Sequence, residues 1–323
     1  MNNGEIDIQH ARLVRNLSHQ FGAEIMTALN DPDVTEVILN DDGQLWIEAL
    51  GKGMRKGGKV SAAQAYTILS LMASSLKIEC RHDLPIVEGE LPIDGSRFEG
   101  MIPPVVSAPS FCIRKKATRI FTLEEYLAAG IIDGPVAKML RDAITAHENI
   151  LVVGGTGSGK TTLVNAIIHE MSVLCPYDRL VIIEDTAELQ SSSDNTLFLR
   201  ADVHTSIQQL VKATMRLRPD RILIGEVRDG AALDLLKAWN TGHPGGVATV
   251  HANGALHGLL RIGQLIAEAI PTPMETLIGE AVHLVVFITK TRTHRTVAEV
   301  ARVHGFSFPE NKYIMEYLHG QQA

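Results

Sequence analysis

The chain has 323 residues, 45% hydrophobic and 21% charged, a composition that suits a soluble globular protein with room for two domains and two cores. A net charge of -7 and a pI near 6.0 argue against a protein that coats nucleic acid, and no stable direct nucleic-acid binding is expected. Cys80, Cys112 and Cys175 are scattered and lack C-x-x-C spacing, which argues against a disulfide framework or a zinc site.

The opening MNNGEIDIQH carries acids where a signal peptide would carry Lys or Arg, and no run approaches the roughly 18 apolar residues of a membrane span. A cytoplasmic protein, at most peripheral to a membrane, is expected. Leu13, Val14, Leu17, Phe21, Ile25, Met26 and Leu29 form one helical stripe over Ile6 to Leu29, which Asp31-Pro32-Asp33 ends. Val34 to Leu39 and Gln44 to Leu50 read as a hairpin around Asn40-Asp41-Asp42-Gly43. A helix from Ser61 to Leu76 follows, then short strands at Glu90 to Ile93, Arg97 to Ile102 and Ser110 to Arg114. An α+β first domain over residues 1–115 fits this order, with 116–134 as a linker containing a short helix at Leu123 to Ala129.

From residue 135 to 323 the pattern alternates strand and helix, the mark of an α/β domain with a parallel sheet. After a helix at Val136 to Ala146, the strands are Ile150 to Val153, Leu180 to Ile183, Arg221 to Ile224, Val247 to Val250 and Leu284 to Thr289. A short candidate strand lies at Leu197 to Leu199.

Ile150 to Thr162 reads ILVVGGTGSGKTT, an apolar strand followed by G-x-x-x-x-G-K-[ST]. Glycines at 154, 155, 157 and 159 permit backbone angles that turn successive N–H groups around one anion, and the helix that follows adds its positive end. Lys160 supplies a point charge for the β- and γ-phosphates, and Thr161 offers a hydroxyl to Mg²⁺. The expected nucleotide contacts are Gly154, Gly155, Thr156, Gly157, Ser158, Gly159, Lys160, Thr161 and Thr162, with ATP and Mg²⁺ as the implied ligands.

Two further strands end in acids. Arg221 to Glu226 places a carboxylate where the carboxyl edge of a parallel sheet meets its ligand, and Glu226 is the first candidate to order the attacking water. Leu180 to Glu184 runs into Asp185 and Glu188; the Glu184-Asp185 cluster is expected to assist Glu226 in directing the water and to share Mg²⁺ through water, and which of the three acids faces the site is open at this level. His243 and His251 lie at opposite ends of one strand, and His251 is the better candidate for sensing the terminal phosphate.

In this order and spacing, GGTGSGKTT, IIEDTAEL, MRLRPDRILIGEVRD and TGHPGGVATVHAN resemble the Walker A, Asp box, Walker B and His box of the type II/type IV secretion ATPase superfamily. The resemblance is nearest to the conjugative-transfer branch. Three cysteines are too few for the zinc module common in the type II secretion branch, and IPTPMETLIGEAVHLVV stands where pilus-retraction motors carry an AIRNLIRE-like segment.

This likeness implies a RecA-like P-loop NTPase domain behind a smaller N-terminal domain, a homohexameric ring, and partners among the inner-membrane components of a secretion apparatus. It also implies that Arg97 in DGSRFEG and Arg114 in FCIRKKA reach over the phosphates, with Arg216 and Arg218 as candidates at a subunit boundary. The expected activity is Mg²⁺-dependent ATP hydrolysis driving conjugative transfer or pilus assembly. The alternatives are a type IV pilus or type II secretion motor, a nucleotide-gated scaffold with little turnover and, third, a small-molecule kinase.

Overall fold

The computed structural model describes residues 3–49, 52–116, 119–202, 204–291 and 294–320. The chain divides into two compact units, Met1–Arg119 and Ile120–Ala323.

The first unit contains α1 (Asn3–Asn30), β1 (Val34–Leu39), β2 (Gln44–Ala49), β3 (Gly53–Lys59), α2 (Ala62–Leu76), β4 (Ile86–Glu90), β5 (Arg97–Met101) and β6 (Ser110–Arg114). Its strands form an antiparallel sheet in the order β3-β2-β1-β6-β5-β4. Alternation gives the sheet one apolar face: Val37, Leu39, Ile47, Phe98, Phe111 and Ile113 are buried with Leu17, Phe21 and Ile25 of α1 and Ile68, Leu69 and Met72 of α2. A Cβ at Gly100 would fall 2.0 Å from Leu69 Cδ2, so only glycine lets α2 lie this close to β5. The other face carries Arg97 and Arg114, direct partners across β5 and β6.

Three expectations change here. The strand placed at Glu90 to Ile93 lies earlier, at Ile86–Glu90, because Pro92 has no N–H for a ladder and Leu91 to Gly95 closes a turn. The first helix is interrupted at Gly22, with φ of 72°. Strand β3, GMRKGGK, has no apolar alternation; it is an edge strand exposed at nearly every position and held by backbone pairing to β2.

The second unit contains α3 (Leu123–Ala128), α4 (Gly134–Thr145), β7 (Ile150–Val153), α5 (Lys160–Leu174), β8 (Leu180–Glu184), β9 (Thr196–Arg200), α6 (Ile207–Thr214) and β10 (Arg221–Ile224). It continues with α7 (Ala231–Asn240), β11 (Val247–Val250), α8 (Ala255–Ala269), α9 (Glu275–Ala281), β12 (Leu284–Lys290), β13 (Arg295–Ser307) and β14 (Lys312–His319). The sheet runs β14-β13-β12-β7-β11-β10-β8-β9, parallel from β12 to β9 and antiparallel across β12, β13 and β14. Every residue of β7, β8, β10 and β11 is buried because helices cover both faces. Leu140, Ile144, Leu163 and Ile167 of α4 and α5 pack on one face, and Leu235, Leu259, Ile262 and Ile278 of α7, α8 and α9 on the other. This is a RecA-like α/β domain, following a smaller α+β unit in the chain.

The segment expected to be a linker divides differently. Leu123 and Tyr126 of α3 are buried in the second unit's core, and Ile131 O accepts a hydrogen bond from Val297 N. From residue 120 onward the segment therefore belongs to the second unit; residues 117 and 118 lie outside the described set. Strands β13 and β14 were not expected from sequence, their alternation being shifted by irregularities between Val300 and Ala301 and between Val303 and Gly305.

Buried Asn149 anchors the amino edge of this sheet. Its Nδ2 donates to Ala281 O at 2.7 Å, its Oδ1 accepts from Gly246 N at 3.0 Å, and its N–H donates to His283 Nδ1 at 2.9 Å. Asn149→Ala would leave a buried N–H and a buried carbonyl without partners. We expect a loss of about 2–4 kcal/mol in urea unfolding; a loss below about 1 kcal/mol would show that the clamp is dispensable.

Candidate active site at the phosphate loop

Strand β7 delivers the chain into Gly154 to Gly159, and α5 begins at Lys160. Gly157 and Gly159 have φ of 68° and 101°, which a side chain would strain. Gly154 is required by space instead, since a Cβ there would sit 2.5 Å from both Ile288 O and Ser158 Oγ. Gly155 has open space around that position, while Thr156 is exposed and Thr162 half-buried.

No side chain caps α5, so the N–H groups of its first turn face the loop without a side-chain acceptor from the N-cap residue. Ser158 Oγ is buried without a hydrogen-bond partner. These orphaned polar groups, with a lysine beside them, suit an anion.

Lys160 is only 8% exposed. Its Nζ donates to Gly154 O at 2.9 Å and Gly155 O at 3.1 Å, and lies 3.2 Å from His251 Nδ1. The ammonium can only donate, so Nδ1 accepts and the ring proton sits on Nε2. That nitrogen is 2.6 Å from Glu226 Oε1. Glu226 Oε2 accepts from Arg228 Nε at 2.6 Å, and Arg228 Nη1 reaches Asp185 Oδ2 at 2.7 Å. A single chain of contacts thus runs from Lys160 through His251, Glu226 and Arg228 to Asp185.

Sheet register creates this convergence. Val250 pairs with Val153, and Ile224 with both Ile183 and Ala248, so the residues after β7, β8, β10 and β11 emerge at one carboxyl edge. Thr249 Oγ1 donates to Gly225 O at 2.6 Å, and Val227 N donates to Thr249 O at 2.9 Å, which fixes the turn carrying Glu226.

The acids after β8 separate into distinct positions. Glu188 Oε2 accepts from Thr161 Oγ1 at 3.0 Å, which puts it beside the hydroxyl expected to meet a metal. Glu184 is buried, and its Oε1 accepts from the backbone N–H groups of Glu188 at 3.0 Å and Leu189 at 2.8 Å. Burial raises its pKa, and those two donors offset part of that rise. Glu184, expected to assist with water, is instead engaged in shaping the loop that presents Glu188, because its buried carboxylate needs those donors. Asn165 holds the same loop, donating to Glu188 O at 3.1 Å and accepting from Gln190 N at 2.9 Å.

The two histidines of TGHPGGVATVHAN are separated by the length of β11. His251 joins the site, whereas His243 precedes β11 at the amino edge, roughly 13 Å away along four strand residues. His243, expected with less weight than His251 to sense the terminal phosphate, therefore lies at the wrong edge of the sheet to do so. Arg216 and Arg218 precede β10 and also lie toward the amino edge. Arg97 and Arg114 belong to the first unit, where Arg97 Nη2 pairs with Glu88 at 2.9 Å. Sequence reasoning missed Asn165 and Arg228. Arg228 lay inside the quoted GEVRD, but nothing in that string shows that it bridges to Asp185. Among the described residues no group of three or more His, Cys, Asp or Glu could hold a metal ion by itself; Mg²⁺ needs only one or two protein oxygens beside phosphate and water.

Residues 19–308 match the sequence family described as Type II/IV secretion system protein. The chain belongs to this family. Within the family it is 50% identical over 92% of both chains to the probable conjugal transfer protein TrbB of Sinorhizobium fredii. It is 48% identical over 95% of both chains to the conjugal transfer protein TrbB of Rhizobium radiobacter. The ATPase DotB of Legionella pneumophila shares the fold, with a TM-score of 0.60 and 17% identity over 84% of this chain and 77% of DotB. No helix among the described residues is long and apolar enough to cross a membrane.

Proposed function

We propose that this secretion-family protein hydrolyses ATP to ADP and phosphate and couples the reaction to conjugative transfer. The observation that carries the reading is the contact chain from the phosphate-loop lysine to an acid on the next strand but one, Lys160 to His251 to Glu226. The similarity to conjugal transfer proteins at 48–50% identity supports the cellular role. A homohexamer working with inner-membrane components of a secretion apparatus, at the cytoplasmic face, is part of the same proposal.

The loop amides of Gly155 to Gly159 and Lys160 bind the phosphates; Thr156 and Thr162 flank them. Glu226 orients the water and takes its proton as the water oxygen bonds to the terminal phosphorus and the bond to the bridging oxygen breaks. His251 sits between Lys160 and Glu226, where moving the ammonium onto phosphate would remove its donor. Arg97 and Arg114, cross-strand partners in the first unit's sheet, are carried as nucleotide-binding candidates by the family resemblance alone.

Thr161 and Glu188 are the residues that would hold Mg²⁺, directly or through water. When bound, Mg²⁺ supplies charge neutralisation at the phosphate oxygens. Glu188→Gln should raise the Mg²⁺ concentration needed for half-maximal hydrolysis about tenfold while leaving the rate at saturating Mg²⁺ within about threefold. An unchanged magnesium titration would remove Glu188 from the metal site.

Phosphate release by the purified assembly tests the reaction, and rescue of DNA transfer in a conjugation system lacking its own motor tests the role. Turnover no greater than that of Lys160→Ala would leave a nucleotide-gated scaffold. Turnover without rescue would point to a pilus or type II secretion motor.

A further inference from the structure

The phosphate loop has a neighbour on its other flank. Strand β12 pairs with β7 on the side away from β11, and β13 follows it outward in the sheet. Arg295 opens β13 opposite Lys290, the last residue of β12. A Cβ built on Gly159 would lie 3.1 Å from Arg295 Cδ and 3.4 Å from Nε, so the guanidinium stem rests directly on the loop. Arg295 Nη2 stands 3.5 Å from Gly157 O, the outer limit of a hydrogen bond. Gly159 therefore needs to be glycine twice over, for its φ of 101° and for the arginine against it.

The charge on Arg295 is not balanced as others in this unit are. Arg141, Arg221, Arg228 and Arg302 each hold a carboxylate. Among the described residues, Arg295 pairs with no carboxylate; it has the weak Gly157 contact and an electrostatic influence on the buried Tyr126 hydroxyl. It is half-buried and shares its surroundings with the uncapped end of α5 and with Lys160. Three sources of positive potential in one place are mutually unfavourable until a polyanion arrives.

Resting on the nucleotide reading above, we propose that Arg295 is a phosphate-binding residue of the same subunit, gripping the part of the polyphosphate that ADP and ATP have in common. Sheet order assigns the end it holds. The terminal phosphate must face Glu226 and His251, which follow β10 and β11 on one side of β7. Arg295 lies across β7 from them, on the β12 and β13 side, and so takes the α- and β-phosphates. Its backbone is braced for this, because Val297 N donates to Ile131 O two residues further along β13. Guanidinium suits the task, being permanently charged and able to fork onto two phosphate oxygens.

Binding of ADP and of ATP by calorimetry, with steady-state hydrolysis alongside, tests the assignment. Arg295→Ala should weaken ADP and ATP equally, about tenfold, and raise KM by the same factor with kcat within about twofold, because the contact is alike in ground and transition states. Arg295→Lys should recover part of the loss, and the nucleotide-free melting temperature should be unchanged. ADP affinity within about twofold of wild type in a folded Arg295→Ala would overturn the assignment, as would a fall in kcat with ADP affinity intact. Should the alanine variant fail to fold, Arg295→Lys carries the same measurement with about a threefold weakening expected, and equal affinity again overturns it. Wild-type protein that binds neither nucleotide would defeat the nucleotide reading itself; wild-type binding with unaltered variants defeats only the role of Arg295.

Discussion

Lys160→Ala should reduce ATP hydrolysis by at least about 10³-fold, equivalent to roughly 4 kcal/mol of transition-state stabilisation. On the proposed reading, the lysine's charge acts on the β- and γ-phosphates from a buried position, where screening is weaker than in bulk water. The lysine is buried against the Gly154 and Gly155 carbonyls, so its charge is held beside the loop and has only to shift from those carbonyls onto a phosphate. Nucleotide affinity should fall as well, by about tenfold or more, since part of the interaction exists in the ground state. The alanine leaves two loop carbonyls without their ammonium donor, so the nucleotide-free melting temperature must be compared before the rate is read. Phosphate release within about tenfold of wild type, from a folded variant, would remove Lys160 from the centre of the chemistry.

Glu226→Gln separates binding from turnover. Hydrolysis should fall by about 10²–10⁴-fold, the usual scale for losing a general base, while ATP affinity stays within about threefold. Amide geometry explains why the loss is specific. Both Glu226 oxygens receive donors, His251 at one and Arg228 at the other. A glutamine places its own NH₂ against one of those donors, so one contact must break even though the side-chain shape is kept. Equal turnover by wild type and Glu226→Gln would show that the water is ordered elsewhere, and Glu188 would then be the acid to examine, given its contact with Thr161.

Local chemistry was legible in the sequence. The apolar run at Ile150–Val153 and the glycine spacing after it predict a strand, a turn with positive-φ glycines and a helix, and the structure has each in place. Acids at the ends of β8 and β10 were legible for the same reason: an apolar strand that stops at a carboxylate stops at an edge of the sheet. Elements without a periodic apolar signal were not. Strand β3 lies open to solvent at an edge; the short helix at Leu123 was legible, but its place in the second unit's core was not, because two buried side chains, Leu123 and Tyr126, are too few to mark a core.

What the sequence determined by itself is the phosphate loop and the acids and histidines around it, though not Arg295, because backbone freedom, charge and hydroxyl chemistry are properties of residues and of their immediate neighbours. Only the tertiary structure decided which of them meet. Parallel register carries His251 to the lysine and leaves His243 at the far edge, and strand order sets Glu226 and Arg295 on opposite sides of β7. Burial turns Glu184 inward to its own loop and leaves Glu188 to Thr161. Such pairings join residues many positions apart, through hydrogen bonds between strands whose order no local spacing encodes.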